Sequence, residues 1–202
     1  MSATLELLIA IVTGFPDAQN HVMDNDQLFE LLKREMGHLR GCERVLTHTF
    51  KHNEVLRDKI SSEELQEMLD IALTQNQPQR LRFLSSVVDV SGASEASERH
   101  SNVLVLHLQN YMPALVRPGT SQLRIAPRGP DLNKGTDTIM SVMRRVRDEG
   151  WVDENDPIMF QVELLNLVGR LCRAMESPEV RRIATEVLDL ANCVKLVIHK
   201  VS

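Results

Sequence analysis

Residues 61–88 read SSEELQEMLDIALTQNQPQRLRFLSSVV and predict two consecutive amphipathic helices. Ser61, followed three residues later by Glu64, matches a capping box, in which both side chains bind backbone N–H groups at a helix start. Apolar residues then recur at helical spacing, which predicts a helix over residues 62–75. Residues 76–78, Asn-Gln-Pro, end this helix because proline cannot continue it, and the apolar run that follows predicts the next one.

The same helical spacing continues on both sides of this pair and predicts an all-α chain. Residues 103–108 are strand-like by composition, but the Ser- and Glu-containing segment before them favours a helix. About ten short helices are too many for a four-helix bundle and favour an armadillo/HEAT-like α-solenoid of stacked helix pairs. The predicted helices cover residues 5–12, 16–23, 28–32, 39–50, 62–75, 81–88, 95–110, 139–146, 157–172 and 178–197.

One long segment interrupts this pattern. Residues 113–135 contain four prolines and three glycines and show no sustained apolar period, so they predict one long Pro/Gly-rich flexible loop. We therefore predict a single helical domain over residues 1–202. Apolar helices lie close to both ends of the sequence, and we interpret the domain as excised from a longer chain.

The composition is typical of a soluble globular domain. Apolar residues make up 43% of the 202 residues and charged residues 25%, which excludes wholesale disorder. No window approaches about 18 uninterrupted apolar residues, so we predict no membrane insertion by this segment. A net charge of -5 argues against nucleic acid as a partner. The three cysteines are far apart and set among apolar residues, as reduced thiols usually are.

One group of residues could bind a metal ion. His38 and Cys42, and likewise His48 and His52, are spaced four residues apart and could each share a helix face. The spacing matches no standard zinc pattern, and a histidine near a helix end commonly binds carbonyls there. A metal-dependent enzyme built on these four residues is therefore the third hypothesis, and the favoured prediction is no metal site.

Catalytic motifs are missing from the sequence. It contains no G-x-S-x-G, no Cys/His pair in a recognisable context, and no paired carboxylates whose surroundings would separate their acidities. The acidic residues 148–156 could offer oxygen ligands to calcium, but they lack the EF-hand order and fit a solvated turn before the next helix. We predict that the protein is not an enzyme and needs no cofactor.

A basic segment stands out against the acidic chain. Residues 117–147 contain seven Arg and Lys residues and two Asp, whereas the whole chain carries a net charge of -5. This asymmetry predicts a docking patch for an acidic protein partner, with a solvated face and loop as the alternative. The arginines of this patch are Arg117, Arg124, Arg128, Arg144, Arg145 and Arg147.

Three stretches resemble the inositol trisphosphate receptors and the related ryanodine receptors. Residues 48–61, HTFKHNEVLRDKIS, have the pattern of a helix ending in an aromatic or apolar residue, then x-x-Asn, a leucine and Ile-Ser. Residues 81–88 resemble the family's next apolar helix at the same spacing. The most specific match is residues 153–167, DENDPIMFQVELLNL, which resemble the acidic-Asn-x-Pro-apolar-Met-aromatic start of a helix in the central homology domain.

The resemblance covers roughly residues 30–176 and implies an armadillo-like domain of a tetrameric calcium-release channel. Such a domain lies on the cytoplasmic face of the endoplasmic reticulum, contacts other domains of the channel and relays ligand-induced motion towards the pore. The chain has no counterpart of the family's ligand-binding basic cluster, and residues 113–135 have little counterpart there, so no inositol-phosphate ligand is carried over. The alternative function is a freestanding armadillo/HEAT-type adaptor that binds an acidic partner through the basic patch.

Overall fold

The computed structural model describes residues 3–88, 95–115 and 157–174, and helices are the only regular secondary structure in these ranges. The prediction of an all-α chain is confirmed for them. The helices are α1 (Ala3–Val12), α2 (Pro16–Asp24), α3 (Asp26–Glu35), α4 (Cys42–Phe50), α5 (Glu54–Lys59), α6 (Ser62–Gln75), α7 (Pro78–Val87), α8 (Glu95–Leu115) and α9 (Pro157–Ala174).

Helix α6 begins with the predicted capping box. The Ser61 hydroxyl oxygen accepts a hydrogen bond from the Glu64 N–H at 3.1 Å, and Glu64 Oε2 accepts one from the Ser61 N–H at 3.0 Å. The other Glu64 oxygen accepts from the Lys33 ammonium of α3 at 3.0 Å, so the same carboxylate also links two helices. The helix ends at Asn76, whose left-handed conformation closes its last turn.

Removing the cap should destabilise the protein measurably. We expect Ser61→Ala to lower the free energy of unfolding by about 1 kcal/mol, because the Glu64 N–H loses its acceptor. Ser62, the first residue of the helix itself, offers a matched control, and Ser62→Ala should change stability much less. Urea unfolding followed by circular dichroism measures both variants, and equal losses would contradict the capping role.

Two further helix starts use asparagine and were not predicted as caps. Asn53 Oδ1 accepts from the Leu56 N–H at 3.2 Å before α5, and Asn25 Oδ1 accepts from the Leu28 N–H at 3.1 Å before α3. Helix α5 was not predicted as a separate helix, because six residues are too short to show an apolar period. Helix α8 was predicted to end at residue 110 but continues to Leu115.

The extension of α8 also corrects the start of the predicted loop. Pro113 lies inside the helix, close to its last residue, instead of opening a loop. Proline removes a backbone donor from the helix, and α8 ends within two residues of it. The other residues of the predicted 113–135 loop, from residue 116 onward, lie outside the described residues.

The described helices pack in two connected rows. In the first row α1 contacts α4, α4 contacts α7, and α7 contacts α9, where the interface between α7 and α9 is the most extensive. In the second row the Lys33–Glu64 ion pair joins α3 to α6, and α6 packs on α8. The rows meet where α3 packs on α4 and α6 packs on α7. Within the first row, α4 and α7 therefore each pack against one helix on either side.

Aromatic rings occupy the place where the two rows meet. The ring of Phe50 lies 5.6 Å from that of Phe83 in an edge-to-face arrangement and 6.2 Å from that of Phe29. The three side chains come from α4, α7 and α3, and all three are buried. Because offset and edge-to-face rings attract each other, this cluster fixes the three helices against one another.

Candidate functional site: a charged junction of three helices

The arginine of α7 connects three helices through two carboxylates. Arg82 Nε donates to Glu163 Oε1 of α9 at 3.0 Å, and Arg82 Nη1 lies 3.5 Å from Glu43 Oε2 of α4. Helix α7 lies between α4 and α9 in the first row, so its outward-reaching guanidinium can bind a carboxylate on each side. We call Glu43, Arg82 and Glu163 the charged junction.

Both carboxylates of the junction are buried. Glu43 is 5% exposed and Glu163 is 8% exposed, whereas the Arg82 side chain is 30% exposed. A buried carboxylate is costly unless it is paired and hydrogen-bonded, and both glutamates form an ion pair with the shared guanidinium. The planar guanidinium presents several donors in fixed directions and can serve two acceptors at once, which an ammonium group does less well.

A second set of polar contacts strengthens the same α7–α9 interface. Arg170 Nη1 donates to the backbone oxygen of Ser85 at 3.2 Å, and Asn166 Nδ2 donates to Glu163 Oε2 at 3.2 Å. Around them Leu167 and Leu171 are buried against the apolar core. The interface combines apolar burial with directed polar contacts, which favours one relative position of the two helices over others.

The junction also joins two of the stretches that carry the family resemblance. Arg82 belongs to residues 81–88 and Glu163 to residues 153–167, and they form an ion pair in the structure. No family model, curated protein or solved structure matches the chain. The resemblance to inositol trisphosphate receptors therefore stays a prediction.

The junction is suited to holding helices in place. A guanidinium stays protonated across the physiological range, so it is not a general acid or base. What the junction supplies is a fixed electrostatic link between α4, α7 and α9.

Of the helices in the described residues, none is long and apolar enough to cross a bilayer.

The four residues of the metal hypothesis do not pair as predicted. His38 lies in the turn before α4 while Cys42 begins that helix, and His52 follows α4 in a left-handed conformation with φ 60°. Neither i, i+4 pair therefore lies on one helix face. Within residues 3–88, 95–115 and 157–174, no group of three or more His, Cys, Asp or Glu side chains could hold a metal ion.

Two of these residues have other surroundings instead. His48 Nδ1 lies 2.9 Å from the Thr13 hydroxyl, and burial, together with Lys51 and Arg44, lowers the pKa of the His48 imidazole. Burial raises the pKa of the Cys42 thiol, and Glu35 adds to this effect. The thiolate is the form of cysteine that attacks substrates and binds metals, and a raised pKa lowers its fraction at neutral pH. Cys42 is therefore a poorer nucleophile and a poorer metal ligand than a cysteine of ordinary pKa.

The predicted docking patch cannot be placed. Its arginines all lie outside the described residues, as do the acidic residues 148–156, and the adaptor hypothesis stays a prediction. The patch consists of Arg117, Arg124, Arg128, Arg144, Arg145 and Arg147.

The sequence did not single out the members of the charged junction, although it contains a signal for two of them. Arg82 interrupts the apolar run of residues 81–88, and Glu163 interrupts the nearly continuous apolar run of α9. A charge within the buried part of a helix needs a partner of opposite sign. Glu43 carries no such signal, since it lies in the first turn of α4, where acidic residues are common.

A second polar cluster joins α6 to α8. Asp70 Oδ1 accepts from the Tyr111 hydroxyl at 2.6 Å and lies 2.6 Å from His107 Nε2. Burial raises the pKa of the Asp70 carboxyl, but the hydrogen bonds from Tyr111 and His107 outweigh burial and lower it overall. Because Asp70 lies on α6 and both of its partners lie on α8, the cluster forms a second link between helices.

One imidazole is fully buried near the start of α8. Neither ring nitrogen of His100 makes a hydrogen bond to the described residues. Burial lowers its pKa, and Arg99 and Arg57 act in the same direction. The Ile60 backbone and Asp58 oppose them without reversing the result. Together these effects favour the neutral ring over the charged ring in the folded protein.

This buried imidazole should make the protein less stable in mild acid. Burial holds the pKa of His100 below the ordinary value of 6.5, so below about pH 6.5 the unfolded chain binds a proton more readily than the folded protein does. We expect His100 to lower the free energy of unfolding as the pH falls below that point, by at most about 1.4 kcal/mol per pH unit. His100→Leu should remove this contribution, and His21→Leu, at an exposed position, should keep it. Urea unfolding at pH values between 5 and 8, in steps of about half a unit, measures this loss of stability. Wild type and His100→Leu curves of the free energy of unfolding against pH that run parallel would contradict the prediction.

Proposed function

We propose that the chain is a non-catalytic helical coupling domain, of the kind found in inositol-trisphosphate-gated calcium-release channels of the endoplasmic reticulum. It transmits ligand-induced motion towards the pore by moving as a rigid unit between neighbouring domains of a tetrameric channel. The observation that carries the proposal is the charged junction, because it connects two of the stretches of family resemblance and holds three successive helices together.

The order of helix contacts supports an armadillo/HEAT-like α-solenoid as the architecture of this domain. Helices α1, α4 and α7 follow one another in the first row and begin at residues 3, 42 and 78, which are 39 and 36 residues apart. These spacings are slightly shorter than armadillo and HEAT repeats of about 40 residues or more. In such a stack each repeat contacts only its neighbours, so a displacement at one end reaches the other through successive interfaces.

Transmission of motion requires stiff interfaces, and the described residues supply directed contacts at successive steps of the stack. Glu43 and Arg82 connect α4 to α7, Arg82 and Glu163 connect α7 to α9, and Lys33 and Glu64 connect α3 to α6. Helices held by apolar contacts alone can slide past one another at little cost in free energy. A buried ion pair of fixed geometry raises that cost, because sliding separates the charges.

A genetic experiment tests this function. In cells that express the protein, the coding segment for these 202 residues is deleted at its chromosomal locus, and calcium release is measured in permeabilised cells with a luminal indicator. We expect release evoked by inositol trisphosphate to be abolished while the channel remains in the membrane and binds the ligand. A matched line with Leu106→Glu, a change at an exposed position of α8, should release calcium normally.

Two results would overturn the proposal. The first is unchanged release in the deletion line at equal channel abundance. The second is that, in unedited cells, the protein co-purifies neither with endoplasmic reticulum membranes nor with any subunit of the channel. Binding of an acidic protein that depends on Arg144 and Arg145, together with this second result, would favour the adaptor instead.

A further inference from the structure

The buried face of α8 changes character along the helix. In the first two turns, residues 95–101, the buried side chains are small or polar: Ala96, Ser97, His100 and Ser101. In the next turns they are apolar: Leu104, Val105 and Leu108. Because buried apolar area supplies most of the free energy that holds a helix in place, the first two turns are held more weakly than the later ones.

The two parts of α8 also contact different helices. The first two turns lie against α5, where Arg99 Nη2 donates to the Asp58 backbone oxygen at 3.3 Å and lies 3.4 Å from Asp58 Oδ1. The side chains of this ion pair are 50% and 59% exposed, so it contributes little to stability. The later turns lie against α6, where Asp70 accepts from Tyr111 and contacts His107. Each part therefore has its own polar link to a neighbouring helix.

Each part contains one histidine, and the one in the first two turns is placed unfavourably for a charge. His100 is fully buried, and its ring nitrogens make no hydrogen bond to the described residues. The charged groups that act on the ring are Arg57 and Asp58 of α5 and Arg99 of α8. Protonation of His100 would therefore bury a third positive charge beside two arginines, which is costly.

The histidine in the later turns is placed favourably for a charge. His107 Nε2 lies 2.6 Å from Asp70 Oδ1, so protonation of this ring turns the contact into an ion pair. Burial raises the pKa of Asp70, but the hydrogen bonds from Tyr111 and His107 outweigh burial and lower it overall. The Asp70 carboxylate therefore keeps its charge in mild acid, and acid strengthens the link to α6.

We propose that residues 95–101 of α8 form a pH-sensitive strap, which leaves α5 in mild acid while the later turns of α8 stay on α6. A protonated His100 ring gains water only when the strap opens, and opening exposes little apolar surface. Local opening is therefore the least costly way for the protein to take up this proton. The inference stands independently of the proposed coupling function.

Hydrogen exchange of the full 202-residue chain between pH 5 and pH 7.5 tests the strap. The amides of residues 99–102 report on it, since the first four N–H groups of a helix lack an acceptor within the helix. Their protection, corrected for the intrinsic exchange rate at each pH, should be lower than that of α4 and α7 throughout. Below about pH 6.5 it should fall further, by up to about tenfold per pH unit. Residues 104–108 should stay better protected than residues 99–102 at every pH.

Three variants separate the roles of the histidines. His100→Leu should remove the additional fall in protection of residues 99–102 below pH 6.5, whereas His21→Leu, at an exposed position, should keep it. If the leucine variant does not fold, His100→Gln, which also cannot be protonated, gives the same test. His107→Leu should lower the protection of residues 104–111 about tenfold at pH 5.5, because Asp70 loses its charged partner.

The wild-type series alone can overturn the strap. If residues 99–102 are protected as strongly as α4 and α7, α8 opens only when the whole protein unfolds, and the proposal is wrong. It is equally wrong if residues 99–102 and 104–108 have the same protection in acid, since α8 then leaves as a unit. An acid-induced fall that persists in a folded His100 variant, or unchanged protection in His107→Leu, also overturns it.

Discussion

Replacing Phe50 with alanine should lower the free energy of unfolding by about 3–5 kcal/mol. Phe50 is fully buried at the end of α4, and its ring contacts those of Phe29 and Phe83. The substitution therefore removes apolar burial, two ring contacts and the filling of the space between three helices. Urea unfolding monitored by circular dichroism and by the fluorescence of Trp151 gives the change.

The same substitution at an exposed phenylalanine is the control. Phe15 is 63% exposed, and Phe15→Ala should change the free energy of unfolding by less than about 0.5 kcal/mol at low micromolar concentration. If Phe50→Ala does not fold, Phe50→Leu retains most of the apolar volume and should cost about 1 kcal/mol. A loss at Phe50 no larger than that at Phe15 would contradict the position of the ring in the core.

Local structure could be predicted from the sequence where a few neighbouring residues determine it. The capping box and the proline after it gave the limits of α6 at residues 62–75, and the structure has the same limits. Pro16 and Pro157 were predicted at the first position of a helix, and both are found there. The six-residue helix α5 and the extension of α8 to Leu115 were missed, since one is too short for a period and the other continues through a proline.

The candidate site could not be predicted in the same way. Arg82 and Glu163 are separated by 81 residues, and no local rule specifies that α7 and α9 become neighbours. The four-residue spacings among His38, Cys42, His48 and His52 suggested shared helix faces, but spacing alone does not show where a helix begins or ends. A helix begins or ends between the two residues of each pair, so neither pair shares a helix face. The partners of the buried charges depend on which helices pack together, and that is seen only in the tertiary structure.

Replacing Arg82 with methionine should be almost as destabilising as the loss of Phe50. The substitution keeps much of the side-chain volume but leaves Glu43 and Glu163 without the guanidinium that they share. Removing one member of a buried ion pair costs about 3–5 kcal/mol, and since the Arg82 side chain is 30% exposed, we expect about 3 kcal/mol. Arg82→Lys keeps the charge but loses the planar arrangement of donors, so its cost should be smaller, about 1 kcal/mol.

Neutralising the carboxylates distinguishes the loss of charge balance from the loss of packing. In the triple variant Glu43→Gln, Arg82→Met, Glu163→Gln no buried charge is left uncompensated at the junction, so most of the lost stability should return. A deficit that the glutamine substitutions do not reduce would mean that Arg82 acts through packing, and the charged junction would then not be what fixes α4, α7 and α9 together.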